Sequence, residues 1–137
     1  RHSGSRCCLL RGCLMAIEKH TIKVSTTGSD ASATGSLVTA LPYSELIAVR
    51  MDFHASAPAS TDTTLSSPGD PVAVTLLTVT NSATDAWYYP GIQMDDNSGS
   101  AITGAYVPGL IHGNLLTELA GCDALTDALV MTIWVRV

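Results

Sequence analysis

A chain of 137 residues is the size of one domain, able to bury about two-thirds of its unfolded surface. Apolar residues make up 46% and charged residues 14%, which excludes a charge-driven disordered chain, and no apolar run approaches the roughly 18 residues a membrane helix needs. Seven basic against twelve acidic residues, net charge -5, excludes a general phosphate-binding surface, so neither nucleic acid nor a membrane is an expected partner.

Residues 1–14 (RHSGSRCCLLRGCL) differ from the rest of the chain. They hold three of the seven basic residues, three of the four cysteines (Cys7, Cys8, Cys13) and no acid. Arg11 interrupts the apolar core a signal peptide would need, and the cysteines lack the paired spacing of a zinc site. Met15-Ala16-Ile17-Glu18 reads as a natural start. The segment is therefore read as upstream sequence translated in frame, as an arm that docks on a neighbour, or as a cloning remnant. Residues 15–137 form the single domain, and its lone Cys122 argues against a disulfide framework.

Within that domain, residues 20–25 alternate and predict a strand. Residues 35–40 predict a weaker one. Residues 45–54 alternate with Ile47, Val49, Met51 and Phe53 on one face, the pattern of a half-buried strand. Residues 55–70, rich in Ser, Thr, Ala and Pro, predict a long surface loop where a partner would be met. Residues 72–80 are a β-branched strand. Residues 86–94 predict another, with Pro90-Gly91 marking a bulge or edge. The 95–100 segment (DDNSGS) predicts a hairpin turn. Strands are expected around Pro108-Gly109, with residues 115–119 open to one helical turn instead. Residues 129–137 close the chain, with Leu129, Met131, Ile133 and Val135 on one face. Some eight strands without an amphipathic helix predict an all-β protein: an antiparallel β-sandwich of the jelly-roll kind with an N-terminal extended arm. The expected core is Ile47, Val49, Met51, Phe53, Leu129, Met131, Ile133 and Val135.

Motifs that carry chemistry are missing. There is no Gly-x-Ser-x-Gly, no phosphate-binding glycine loop and no His-Glu-x-x-His. His20, His54 and His112 fall in separate elements with no metal-ligand spacing. Asp95, Asp96 and Asn97 lack the register of a calcium loop, and Cys122 with His112 lacks a group to orient the histidine. Asp52 and Asp85 illustrate acids that could meet across a sandwich as a glycosidase pair, but nothing selects them. No catalytic residue, cofactor or metal is expected. The aromatic cluster Trp87-Tyr88-Tyr89 and Trp134 reads either as a sugar-stacking platform or as core plus a protein interface, with Tyr88 on one side and Trp87 and Tyr89 on the other. Coplanar exposed rings would favour the sugar and rings covered by another chain would favour assembly.

One run of features carries a resemblance. It comprises Trp87-Tyr88-Tyr89-Pro90-Gly91-Ile92-Gln93-Met94, a polar turn at residues 95–99, Val107-Pro108-Gly109-Leu110, Ala120-Gly121 and the closing strand. This succession, over about the last fifty residues, resembles small β-sandwich proteins encoded beside the head genes of tailed bacteriophages, among them capsid decoration (cement) proteins. Gly91 departs from it, standing where a basic residue is expected. The resemblance implies a non-enzymatic homotrimer on the outer surface of the virion. Its partner would be the major capsid protein of the same particle, met in the host cytoplasm during assembly. Ile17, Lys19, Ile22, Lys23, Val24, Trp87, Tyr89 and Trp134 are the interface candidates. Lys19 and Lys23 are the only lysines, and a chain starting near Val24 is expected to fold but lose its anchor. The alternatives are a glycan-binding module or receptor-binding head appendage, and a small sandwich hydrolase.

Overall fold

The computed structural model describes residues 16–69 and 72–137, so the expected extension at residues 1–14 lies outside the described residues. All regular elements among those described are strands: β1 (Ile17–Val24), β2 (Ala33–Ala40), β3 (Ser44–Phe53), β4 (Asp62–Ser67), β5 (Val74–Val79), β6 (Ala86–Tyr88), β7 (Ile92–Asp95), β8 (Ala101–Val107), β9 (Gly109–Ile111), β10 (Asn114–Cys122) and β11 (Leu129–Arg136). Residues 115–119 are strand, not a helical turn.

Two antiparallel sheets pack face to face. One has the order β1-β11-β3-β6, with β9 also pairing β3, and the other has the order β2-β10-β4-β5. The chain alternates between them, β1 in the first, β2 in the second, β3 back in the first. Strands β7 and β8 leave the sandwich as a separate two-stranded hairpin. The interior is built from inward positions of both sheets: Ile22, Val24, Val49, Met51, Leu129, Met131, Ile133 and Val135 from one, and Leu65, Leu76, Leu115 and Leu119 from the other. Alternation in β11 is regular over its whole length, because apolar side chains at every second position face one core.

Two expected core positions differ. Opposite β11, Trp134 pairs with Ala48 and Val135 with Leu46, which leaves Ile47 as the extra residue of a β-bulge. A bulge reverses which positions face inward beyond it. Leu46 is therefore fully buried, whereas Ile47 is half-buried and outside the core. Phe53, at the end of β3, packs only against the edge of the core.

The predicted loop at 55–70 contains β4, an interior strand paired with β10 on one side and β5 on the other. Thr63, Leu65, Ser66 and Ser67 are buried there. The strand was hidden because Leu65 is its one large apolar residue. Its β-branched threonines and small serines suit a pleated interior, and ladder bonds on both edges hold it. Ser67 is further tied in, its hydroxyl donating to Asn114 O and accepting from His112 N–H. The hydroxyls of Thr63 and Thr117 are buried with no hydrogen-bond partner.

The β10 strand ends in a bulge at Ala120-Gly121. Gly121 has φ +64°, and a Cβ there would lie 2.5 Å from Ser60 O, so only glycine lets the 60–61 segment pass this closely. Strand β1 pairs with β11 along all eight residues and supplies Ile22 and Val24 to the core. A chain starting near Val24 would thus lose a core strand, and the expectation that it would still fold is withdrawn.

Candidate functional site

The outer face of the β1-β11-β3-β6 sheet collects residues from three distant parts of the chain. In β11, Ile133 and Val135 turn inward, so Trp134 turns outward. In β6 and the residue after it, Tyr88 packs against the core while Trp87 and Tyr89 project. Register completes the patch, with Lys19 opposite Trp134, Trp134 opposite Ala48, and Arg50 opposite Trp87. Ala48 is small enough for the two indoles to close over it, and it is buried although it lies on the outer face.

The rings interact with one another. Trp87 and Trp134 stack with centroids 5.0 Å apart and planes 27° apart, and Trp87 and Tyr89 are nearly parallel at 6.3 Å and 7°. These separations are those of offset-stacked pairs. The Arg50 guanidinium lies 5.9 Å from the Trp87 ring centroid and is oriented by Asp52, with Nη2 3.0 Å and Nε 3.1 Å from Oδ1. Such a partly exposed cation–π contact contributes about 0.5–1 kcal/mol. The stack stays open to solvent, Trp87 being 49% and Tyr89 72% exposed. Trp87 is thus flanked by Trp134, Tyr89 and Arg50, and the three rings form one partly exposed apolar ridge.

Of the eight interface candidates, Ile17, Lys19, Lys23, Trp87, Tyr89 and Trp134 share this face, Ile17 and Lys23 by the alternation of β1. Ile22 and Val24 do not. Both point the opposite way into the core, 2% and 1% exposed, because they sit at the inward positions of β1 opposite Met131 and Leu129. Neither lysine forms an ion pair among the described residues.

Several of the other acids and histidines have structural partners. Asp85 accepts the Phe53 N–H at 2.7 Å, and Asp52 is committed to Arg50. Asp96 caps its turn, accepting the Ser98 and Ser100 N–H groups at 2.8 and 3.0 Å. The Ser100 bond first and the Ser98 bond second hold its carboxyl below the ordinary value. His20 lies 3.1 Å from Glu18, and the His54 ring accepts the Ser56 N–H. Cys122 is free and fully buried, out of reach of a substrate. No group of three metal-ligating side chains occurs among the described residues.

Sequence reasoning did not anticipate an open cleft of about 650 Å³ on the outer face of the other sheet, lined by Thr27, Thr34, Ser36, Asp62, Thr64 and Glu118, among others. Glu118 lies opposite Thr64, and Asp62 opposite Ala120, so the two carboxylates are diagonal neighbours across β10 and β4. Asp62 already accepts the Asn81 N–H at 2.8 Å. The cleft is a hydroxyl-rich, anionic surface suited to hydrogen bonding. The signal for it was the Asp62, Thr64 alternation inside the segment read as a loop.

The chain matches no protein-family model, no curated protein and no solved structure.

Proposed function

We propose that this chain is a non-enzymatic virion protein that decorates the outer surface of a bacteriophage capsid as a homotrimer and stabilises the shell through protein–protein contacts. The observation that carries the reading is the uncovered ridge of Trp87, Tyr89 and Trp134 with Lys19 and Lys23 beside it. Tyrosine and tryptophan are enriched at the centres of protein interfaces, and here they stand on a rigid sheet. The strand order β1-β11-β3-β6 over β2-β10-β4-β5, with the excursion at β7–β9 set aside, supports a jelly-roll topology. Topology alone does not assign a function; it supplies a stiff body on which the ridge is held.

The mechanism is mass action. A protein that binds the assembled shell and not free capsid subunits adds about 2.7 kcal/mol per site when its free concentration is a hundred times Kd. No bond is made or broken. The test is to mix the chain with undecorated shells and follow shell melting by calorimetry. Shells should melt higher with the wild-type chain, and Trp87→Ala with Tyr89→Ala should remove the gain. Equal protection by wild type and variant would remove the ridge from the reading.

A second reading, glycan binding, rests on the exposure and near-parallel planes of Trp87 and Tyr89. Titration of soluble oligosaccharides against tryptophan fluorescence separates the two, since only a sugar-binding ridge would quench or shift with saturation.

A further inference from the structure

The β7–β8 hairpin is the other uncovered apolar surface. Ile92 pairs with Val107, Gln93 with Tyr106 and Asp95 with Ala101. Every residue of β7 and all but one of β8 are exposed, including Ile92, Met94, Ile102, Tyr106 and Val107. An isolated two-stranded hairpin is marginal in water and ordinarily needs a third surface to lie on. Here it packs on neither sheet of its own chain beyond its base, where Ile92 approaches Gly109 and Tyr106 approaches Gly91. Nor does it cover the aromatic ridge of its own chain, which remains open.

Charge indicates what covers it. Residues 92–107 contain two acids, Asp95 and Asp96, and no basic residue. On the outer face of the five-stranded sheet, Arg50 and Arg136 are paired with Asp52 and Glu45, whereas Lys19 and Lys23 have no acid partner among the described residues. Each surface thus places apolar groups directly beside unpaired charge of opposite sign. On the hairpin, Asp95 pairs with Ala101, and Met94 and Ile102 are the next residues along the two strands. On the sheet, Trp134 is in register with Lys19, one strand spacing of about 4.8 Å away.

We infer that the hairpin of one copy docks on the Trp87–Tyr89–Trp134 ridge of a second copy, with Asp95 and Asp96 meeting Lys19 and Lys23. The contact joins two different patches, so it is heterologous and closes into a ring when the rotation allows. It names the partner of the ridge within the assembly role proposed above, and it stands or falls in solution without any shell.

The test is light scattering coupled to size-exclusion chromatography on the full chain. Wild type should run above the single-chain mass, with association weakening as salt is raised. Ile102→Ser with Tyr106→Ser should weaken association by about thirtyfold or more, as expected for removal of interface anchors. At concentrations too low for association its melting temperature should match that of wild type, because both side chains are exposed within the chain. Trp87→Ser on the ridge should weaken association likewise, with a modest loss of stability from the stacking and cation–π contacts it removes. The mixture is diagnostic: each variant keeps one intact patch, so hairpin-defective and ridge-defective chains together should form one-to-one pairs that neither forms alone.

A monomeric wild type, or variants that associate as tightly as wild type, would overturn the inference. So would loss of association on removing residues 1–14 while the hairpin variant still associates, since that segment would then be the occupant. Shell protection measured separately on the hairpin variant distinguishes failure of this contact from failure of the decoration reading.

Discussion

In β11, Leu129, Met131, Ile133 and Val135 are all completely buried, whereas in the β7–β8 hairpin Ile92, Met94, Ile102 and Val107 are each more than a third exposed. The residue types are nearly the same. What differs is the number of neighbours the fold provides. Strand β11 lies between β1 and β3 with a second sheet across from it, so both its edges and its inner face are covered. The hairpin has one partner strand and no opposing sheet. Apolar area removed from water stabilises by about 25 cal/mol per Å². In β11 that free energy goes into folding, and in the hairpin the same kind of apolar surface stays in contact with water.

Substitutions on the two sides of this contrast should separate stability from association. The greatest effect is expected at Leu46, whose replacement by Ala should destabilise the chain by about 2–5 kcal/mol in chemical denaturation. Ile47→Ala next to it should cost less than about 1 kcal/mol, because Ile47 is the unpaired bulge residue. Equal losses at the two positions would mean that the bulge is misplaced.

A gain is expected in the same interior. Thr117→Val replaces a buried hydroxyl that has no partner with a methyl group of similar size, and should stabilise by about 1 kcal/mol. That would appear as a rise of a few degrees in the melting temperature. A loss there would show that the hydroxyl has a bonding role after all. On the hairpin side, Ile102→Ser with Tyr106→Ser should leave the unfolding free energy of the unassociated chain, measured at high dilution, within about 0.5 kcal/mol of wild type, as for surface positions. A large loss would place the hairpin in the folding unit.

The smallest effect concerns the turn. The Ser100 and Ser98 N–H groups hold the Asp96 carboxyl below its ordinary value. Its contribution is therefore complete above the ordinary carboxylate range and lost as pH falls through the lowered value. The protection of the Ser98 and Ser100 amides, taken relative to their intrinsic exchange rates at each pH, should fall on acidification, with that of β10 and β11 unaffected over the same range. Uniform loosening of hairpin and body would break the contrast between them.

Much of the fold was legible because two-residue alternation is a local property. It located β3 and β11 and the inward set of β11, while turn composition located the 95–100 turn that closes the β7–β8 hairpin. It also contained the correction for Ile22 and Val24, since a strand alternating through His20, Ile22 and Val24 on one side and Lys19 and Lys23 on the other cannot expose both sets. The β4 strand was not legible, because Asp62-Thr-Thr-Leu-Ser-Ser has the composition of a loop and becomes a strand through its two neighbours. The cleft at Asp62 and Glu118 was lost with it.

The aromatic ridge divides the same way. By itself the sequence determined that Trp87 and Tyr89 lie on one side of a strand with Tyr88 on the other, that Trp134 lies opposite Ile133 and Val135, and that an acidic chain has only two lysines. Only the tertiary structure decided that these residues meet. That depends on β11 inserting between β1 and β3 and on β6 pairing the far edge of β3. Alternation is set by bond geometry within a few residues. Strand order and register are set by pairings between segments far apart in the chain, and a one-residue shift in any of them would turn the ridge into the core.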